Sequence, residues 1–471
     1  MSEQDAIDPL EAELPEAAES LHDEGDRLKP SFVRAVLDAV EDEDTDKARE
    51  LVSPLHPADI ADLLELTPSE RRADVAAALG DLVGAEVLSE LNDYVRDDLI
   101  DVLRPEQVAE FARELDTDDA VAIIEDMEQA DQQAVLEAMD PEDRAAIESA
   151  LSYPEESAGR LMQRDLMAVP EHMTVGQVID YLRDHGDITS DFWEIFVVDP
   201  AHKPIGTCQL SWILTCPRDI PMADLMKREQ TLIPVDMDQE EVALRFQKYA
   251  LISAAVVDHG GRLVGMITVD DILHIVQEEA GEDILRLSGA GEGDINQPVL
   301  LTVRTRLVWL VVNLGTAMIA ASVVGLFEGT IARFALLAAL MGIVSGMGGN
   351  AGTQTLAVVV RALATNQLTS SNTLRMIARE FRIAATNGLV LGTLIGIGSY
   401  LLYGRADLSF VFGLAILTTN LVAGLAGVLI PITLERNNVD PAVSSAVFVT
   451  MATDCTGFFA FLGLATAFNL H

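Results

Sequence analysis

From Pro441 to Phe468 nearly every residue is apolar or small, and the stretch is long enough to cross a bilayer as a helix. Asp454 stands in its middle, flanked by Thr450, Thr453, Cys455 and Gly457. A carboxylate near the bilayer midplane costs roughly 2.5–3.5 kcal/mol even on the lenient insertion scale, so such residues face a bundle interior or an ion path. Helical spacing places Ala446, Thr450 and Asp454 at i, i+4 and i+8, on one face. Small, hydroxyl, acid: the pattern predicts a narrow polar groove suited to a cation.

A second polar set lies upstream, in Gly346-Met347-Gly348-Gly349-Asn350-Ala351-Gly352-Thr353-Gln354. Four glycines in seven residues weaken a helix, and non-helical backbone survives in a membrane only where protein or water satisfies it. Spaced glycines alone would be read as close helix packing. Asn350, Thr353 and Gln354 are not needed for packing and point to an ion path. Asn420 and Pro431 are weaker candidates in the fourth apolar segment. Among ions, Mg²⁺ gives up its water reluctantly and binds through one or two carboxylates while keeping several waters. One Asp per chain with hydroxyls nearby suits it, and two such carboxylates facing each other across a symmetric dimer would be neutralised by a divalent cation.

The elements that must position these residues form a multidomain chain of 471 residues. Residues 1–302 hold 70 of the 76 acids and 22 of the 31 basic residues, whereas 303–471 hold only 6 and 9. An intensely acidic part is thus joined to an apolar one. Only 5 basic residues are Lys, the balance of a salt-adapted, halophilic-like surface. No basic stripe exists for nucleic acid. Cys208, Cys216 and Cys455 have neither metal-type spacing nor a disulfide framework. Residues 1–30 read as a disordered acidic tail that carries no signal peptide, which keeps the N-terminal part cytoplasmic.

Over 31–155 the pattern predicts an all-α superhelix: Leu66, Leu91, Leu115 and Met139 recur every 24 or 25 residues, with Asp116 and Asp140 as capping acids. Residues 161–277 carry a duplication, with Val197-Val198-Asp199-Pro200 matching Val256-Val257-Asp258-His259 and Gly206 matching Gly265. Two such strand–turn–strand–helix units resemble paired CBS domains, small α/β modules that sense nucleotides or ions. In that family a Gly-x-x-Thr-x-x-Asp run can hold a ribose. Gly265, Thr268 and Asp271 fit it, while Gly206, Gln209 and Trp212 depart. A helix cap made by Thr268 and Asp271 explains the same residues equally well. Residues 278–302 read as a connecting, plug-like helix and a Gly-rich joint. Residues 303–471 read as an all-α domain of five spans, approximately 307–327, 332–360, 383–403, 408–434 and 441–468. Seven arginines flank the spans on the side of the N-terminus and two on the other, which puts the N-terminus inside and the C-terminus outside.

This order of parts, with Gly348-Gly349-Asn350 and Asp440-Pro441-Ala442 leading to Asp454, resembles the MgtE family of magnesium channels over residues 31–470. The resemblance implies a homodimeric, multi-pass plasma-membrane Mg²⁺ channel or transporter and no enzyme. Its pore acid falls on Asp454, with Ala446 (where the family has Asn) and Thr450 on the pore face and Thr353 at an amide position of the second span. It also implies gating by cytosolic Mg²⁺ through Asp271, Glu279, Glu282 and Asp283, with His274 at a further sensor position, and ATP as a regulatory ligand. Transport of another divalent ion such as Co²⁺, or a membrane-anchored CBS nucleotide sensor without transport, are the alternatives.

Overall fold

The computed structural model describes residues 21–470 apart from 26, 102, 126, 185–191, 289–295 and 438. Most of the expected acidic tail and most of the Gly-rich joint lie outside the described residues. The chain forms two compact units, residues 1–276 and 277–471.

In the first unit, among the described residues, ten helices run from α1 (Pro30–Glu41) to α10 (Pro141–Leu151), each of 6 to 12 residues. Helices this short are marginal alone and persist because they bury an apolar face in a shared core. That core includes Val36, Leu63, Leu64, Leu79, Val95, Ile124 and Val135. The start signals differ from expectation at one point: Asp140 sits at the N-cap of α10 without a side-chain cap bond, and Pro141 at the first helical position sets the start instead. Leu28, just before α1, is buried in the same core.

The duplication builds two three-stranded sheets of one topology. β1 (Ala168–Pro170) pairs in parallel with β2 (Glu194–Val198), which pairs antiparallel with β3 (Pro204–Gln209). β4 (Leu232–Pro234), β5 (Ser253–Val257) and β6 (Leu263–Thr268) repeat this, with the register shift at the matching valines. Each hairpin is closed by one carboxylate. Asp199 Oδ1 accepts from the Ala201 and Lys203 amides at 2.8 and 2.9 Å, and Asp258 Oδ1 from the Gly260 and Arg262 amides at 2.8 Å each. The turn needs a left-handed residue, supplied by Gly261 (φ 75°) in one copy and carried by His202 (φ 61°) in the other. The helices α11 (Val175–Asp184), α12 (Leu210–Thr215), α13 (Met222–Leu225), α14 (Gln239–Tyr249) and α15 (Val269–Ser288) complete the copies. The repeat breaks in length here, since α12 has 6 residues and its counterpart α15 has 20.

The second unit holds five helices long and apolar enough to cross a membrane: α16 (Val299–Gly325), α18 (Leu336–Ala364), α19 (Thr373–Tyr403), α20 (Ala406–Arg436) and α21 (Pro441–Ala467). A short helix, α17 (Glu328–Arg333), separates the first two, and α19 starts ten residues earlier than hydropathy suggests, because Arg375, Arg379 and Arg382 continue the helix beyond its apolar part. α18 runs unbroken through the four glycines of 346–352. Of the two readings of that run, close packing is the one seen, because two of those glycines are spent on contact. A Cβ on Gly348 would lie 2.4 Å from Thr419 Cγ2, and one on Gly352 would lie 2.6 Å from Val449 Cγ1. Gly392 and Gly413 bring α19 and α20 together equally closely, since a Cβ on either would lie 2.6 Å from the other's carbonyl oxygen.

Gly392→Val should therefore force these backbones apart, costing about 1–3 kcal/mol as overpacked cores do. The check is a lowered thermal midpoint of the detergent-solubilised chain, with Gly398→Val, at a position facing open space, as the control.

Candidate functional site: an intramembrane carboxylate and an acidic cluster

α21 begins with Asp440, whose Oδ1 accepts from the Ala442 amide at 2.7 Å, followed by Pro441 at the first helical position. Asp454 lies thirteen residues from either end of this helix, near its middle. Its Oδ1 accepts a hydrogen bond of 2.5 Å from Ser345 Oγ on α18. Among the described residues no ion pair reaches it. The carboxylate is half-buried, Thr450 is exposed and Ala446 is half-buried, so the expected face of α21 lies at the edge of this chain. The Thr450 hydroxyl itself donates to the Ala446 carbonyl at 2.9 Å.

On α18, Asn350 and Thr353 are exposed. Asn350 follows Gly348 by two residues, about 200° around the helix, so it lies away from the glycine seam that meets α21. Within one chain the structure brings together Asp454 and Ser345 but not Asp454 and Asn350. Thr353 Oγ1 donates to the Gly349 carbonyl at 2.9 Å. Asn420 is buried and donates to the Ile416 carbonyl at 2.9 Å, and Pro431 is accommodated inside α20. Sequence reading missed Ser345, although it stands three residues before Gly348. It also missed Thr419, next to Asn420, which is fully buried against Gly348 and Gly457 with its hydroxyl unpartnered.

At the start of α21 the end of α15 is packed. Arg286 pairs with Glu282 on its own helix and with Asp440 Oδ2 at 3.0 Å. Leu287 packs against the buried cluster of Leu356, Val360, Ala442 and Val449, as does Ala446. Of the four acids expected to sense cations, Glu282 is thus engaged by Arg286, and Glu279 also makes an interaction. The side chain of Asp283 lies outside the described residues.

Asp271 is placed differently, in the first unit. Its Oδ2 accepts from Thr268 Oγ1 at 2.7 Å and the Thr268 amide at 3.3 Å, with Gln163 Nε2 at 3.4 Å. Thr268 and Asp271 therefore close the start of α15 between themselves. Facing Asp271 are acids of the helical repeat. Burial, followed by the charges of Asp271, Asp119 and Asp116, holds the Asp118 carboxyl well above the usual range, and its Oδ1 is buried without a partner. Asp119 is pushed up to about 6 by burial and by Asp271, Asp116 and Glu90, with His274 opposing. Asp271 is raised to about 6, first by burial and then by Asp270 and Asp116, with the Thr268 hydrogen bonds acting against the rise. Among the described residues no three His, Cys, Asp or Glu converge as a metal cage. The acids form a repulsive cluster.

A cavity of about 570 Å³ opens elsewhere in the paired sheets, lined by Glu194, Gln209, Trp212, Lys227, Tyr249 and Ser253 among others. It adjoins the first copy, whose residues depart from the ribose-binding pattern, and Thr268 and Asp271 do not line it.

Comparison with known proteins decides the family. A model described as a divalent cation transporter, MgtE, matches residues 341–464; the MgtE intracellular N domain matches 55–156, and CBS domains match 158–208 and 222–278. A magnesium transporter MgtE of Thermus thermophilus is 32% identical over 457 residues, 93% of this chain and 98% of its own. The chain belongs to the MgtE family. A magnesium transporter MgtE of Bacillus subtilis is 30% identical over 421 residues, covering 89% of this chain and 93% of its own. A crystal structure of the cytosolic domain of an MgtE Mg²⁺ channel in complex with ATP is 31% identical, covers 52% of this chain and 99% of its own, and superposes with a TM-score of 0.48. As an MgtE member with five apolar helices, the chain is a multi-pass membrane protein with a cytosolic N-terminal part.

The acid cluster sets a pH dependence. Carboxyls whose folded pKa is raised favour the fold below their unfolded value near 3.8, and that contribution is lost as pH rises through about 6. In EDTA the cytosolic unit of the full-length chain should lose thermal stability between pH 4 and pH 7. Added Mg²⁺ should restore it above pH 6 but not at pH 4, and Asp119→Asn should flatten the dependence.

Proposed function

We propose that the chain is a homodimeric Mg²⁺ channel or transporter of the plasma membrane, admitting Mg²⁺ to the cytosol down its electrochemical gradient, with its C-terminus outside. The observation that carries this is Asp454: an acid in the middle of a spanning helix, held at one oxygen by Ser345 and half-exposed beside the exposed Thr450. The one side-chain hydrogen bond it accepts comes from a hydroxyl, and an oxygen-ligated carboxylate suits a hard cation that keeps its water. A face that ends at the surface of one chain is completed by a second copy, placing two Asp454 groups and the Asn350 and Thr353 positions around one path.

The names of the relatives support magnesium as the ion. Cytosolic Mg²⁺ is read by the acids of the first unit and by those of α15. At low Mg²⁺ the Asp116, Asp118, Asp119 and Asp271 charges repel; bridging them favours the compact state, and α15 delivers Leu287 to the start of α21. For ATP as a regulatory ligand, the cavity beside Trp212 and Tyr249 is the candidate place, where Lys227 could meet a phosphate. The domains are then the helical repeat 31–155, the CBS pair 161–277, the connecting segment 278–302 and the transmembrane domain 303–471, and no enzymatic role is assigned.

Two experiments test this in liposomes with an internal Mg²⁺-sensitive dye. Asp454→Ala should abolish uptake by the reconstituted chain, and wild-type flux in that variant would refute the pore assignment. Glu282→Ala combined with Asp283→Ala should keep uptake running at high Mg²⁺ on the cytosolic side, where the wild type shuts down. Unchanged inhibition would remove both residues from the sensor.

A further inference from the structure

Hydroxyls on membrane helices ordinarily bond back to the carbonyl one turn earlier. In this chain Thr353, Thr386, Thr393, Thr450 and Thr466 all do so. Ser345 does not; its Oγ crosses from α18 to α21 and donates to Asp454 Oδ1 at 2.5 Å. That length belongs to charge-assisted O–H···O⁻ bonds. The approach that permits it is built in, because Gly348 and Gly352 on the same side of α18 leave no room for a side chain against Thr453 and Val449.

We infer that Ser345 is a positioning and specificity-determining residue for Asp454, fixing one carboxylate oxygen so that a single oxygen is offered to the passing cation. The inference rests on the assignment of Asp454 to the ion path. Its chemistry is that of coordination. A carboxylate free to rotate can turn both oxygens onto a larger, readily dehydrated ion such as Ca²⁺, which accepts bidentate carboxylates in flexible geometry. With Oδ1 held by Ser345 the carboxylate cannot turn freely and Oδ2 is the oxygen left wholly free, and one oxygen touching the water shell of an ion suits Mg²⁺, which retains its waters. The serine thus discriminates by denying the second oxygen, a restriction on the competitor rather than an added contact for the favoured ion.

The test compares Mg²⁺ and Ca²⁺ flux through the reconstituted full-length chain. Ser345→Ala removes one oxygen and leaves a better helix former. It should leave the half-saturating Mg²⁺ concentration little changed and admit Ca²⁺, lowering the Mg²⁺-over-Ca²⁺ flux ratio about tenfold, the scale of one hydrogen bond to a charged group. Ser345→Thr, which keeps the hydroxyl, should retain the ratio. A role in packing alone would change protein yield and leave the ratio unmoved. Should Ser345→Ala not reconstitute, Ser345→Cys, similar in shape and a weak donor, is measured instead, and a wild-type ratio there would overturn the inference. With Asp454→Ala silent, an unchanged ratio in Ser345→Ala sinks the positioning role alone. Normal uptake in Asp454→Ala sinks the pore assignment and this inference with it.

Discussion

A negative charge midway along a membrane helix must be compensated locally, because the surrounding hydrocarbon offers neither water nor dipoles. The transmembrane unit is arranged around that requirement. Asp454 is reached by Ser345 only because α18 and α21 approach closely, and they approach closely because Gly348 and Gly352 present no side chain to Thr453 and Val449. The same small-residue contacts recur between α19 and α20 at Gly392 and Gly413. In lipid, where apolar burial gives no net drive, such contacts are what hold helices together. The glycines therefore stabilise the bundle and place a hydroxyl on the acid at once.

The acids of the first unit obey different physics. Most stand at a wetted surface, where screening keeps their mutual repulsion small. Asp116, Asp118, Asp119 and Asp271 are instead brought together between the helical repeat and the second CBS copy, and burial lifts three of them toward protonation. Such an arrangement costs stability at neutral pH unless a cation bridges it. In the proposed function that cost is what makes it usable as a sensor, since a ligand shifts a conformational balance only by the difference in its affinity for the two states.

The connecting helix α15 belongs to both settings. Its first turn is closed by Thr268 and Asp271, and its last turn presents Arg286 and Leu287 to Asp440 and to the Ala442–Val449 side of α21. Arg286 is shared between Glu282 and Asp440, so the charge at this end of the helix is already partly compensated by the protein itself.

The five apolar segments, the acid in the last of them and the duplicated strand–turn–strand pattern were legible in the residues alone, because hydropathy over twenty residues and the turn chemistry of Asp199 and Asp258 are local properties. The four-glycine run was legible as special but not in kind. Weak helix propensity argued for broken backbone and the spacing for close packing, and it is the packing of neighbouring helices that keeps α18 continuous. The partner of Asp454 could not be read from sequence, since Ser345 is 109 residues away and any of several hydroxyls had the right chemistry. The grouping of Asp118 and Asp119 with Asp271 was hidden for the same reason. Local sequence settles which segments are helical, which are apolar and where a lone charge falls; which groups then meet that charge depends on how helices distant in the chain pack, and only the tertiary structure decides it.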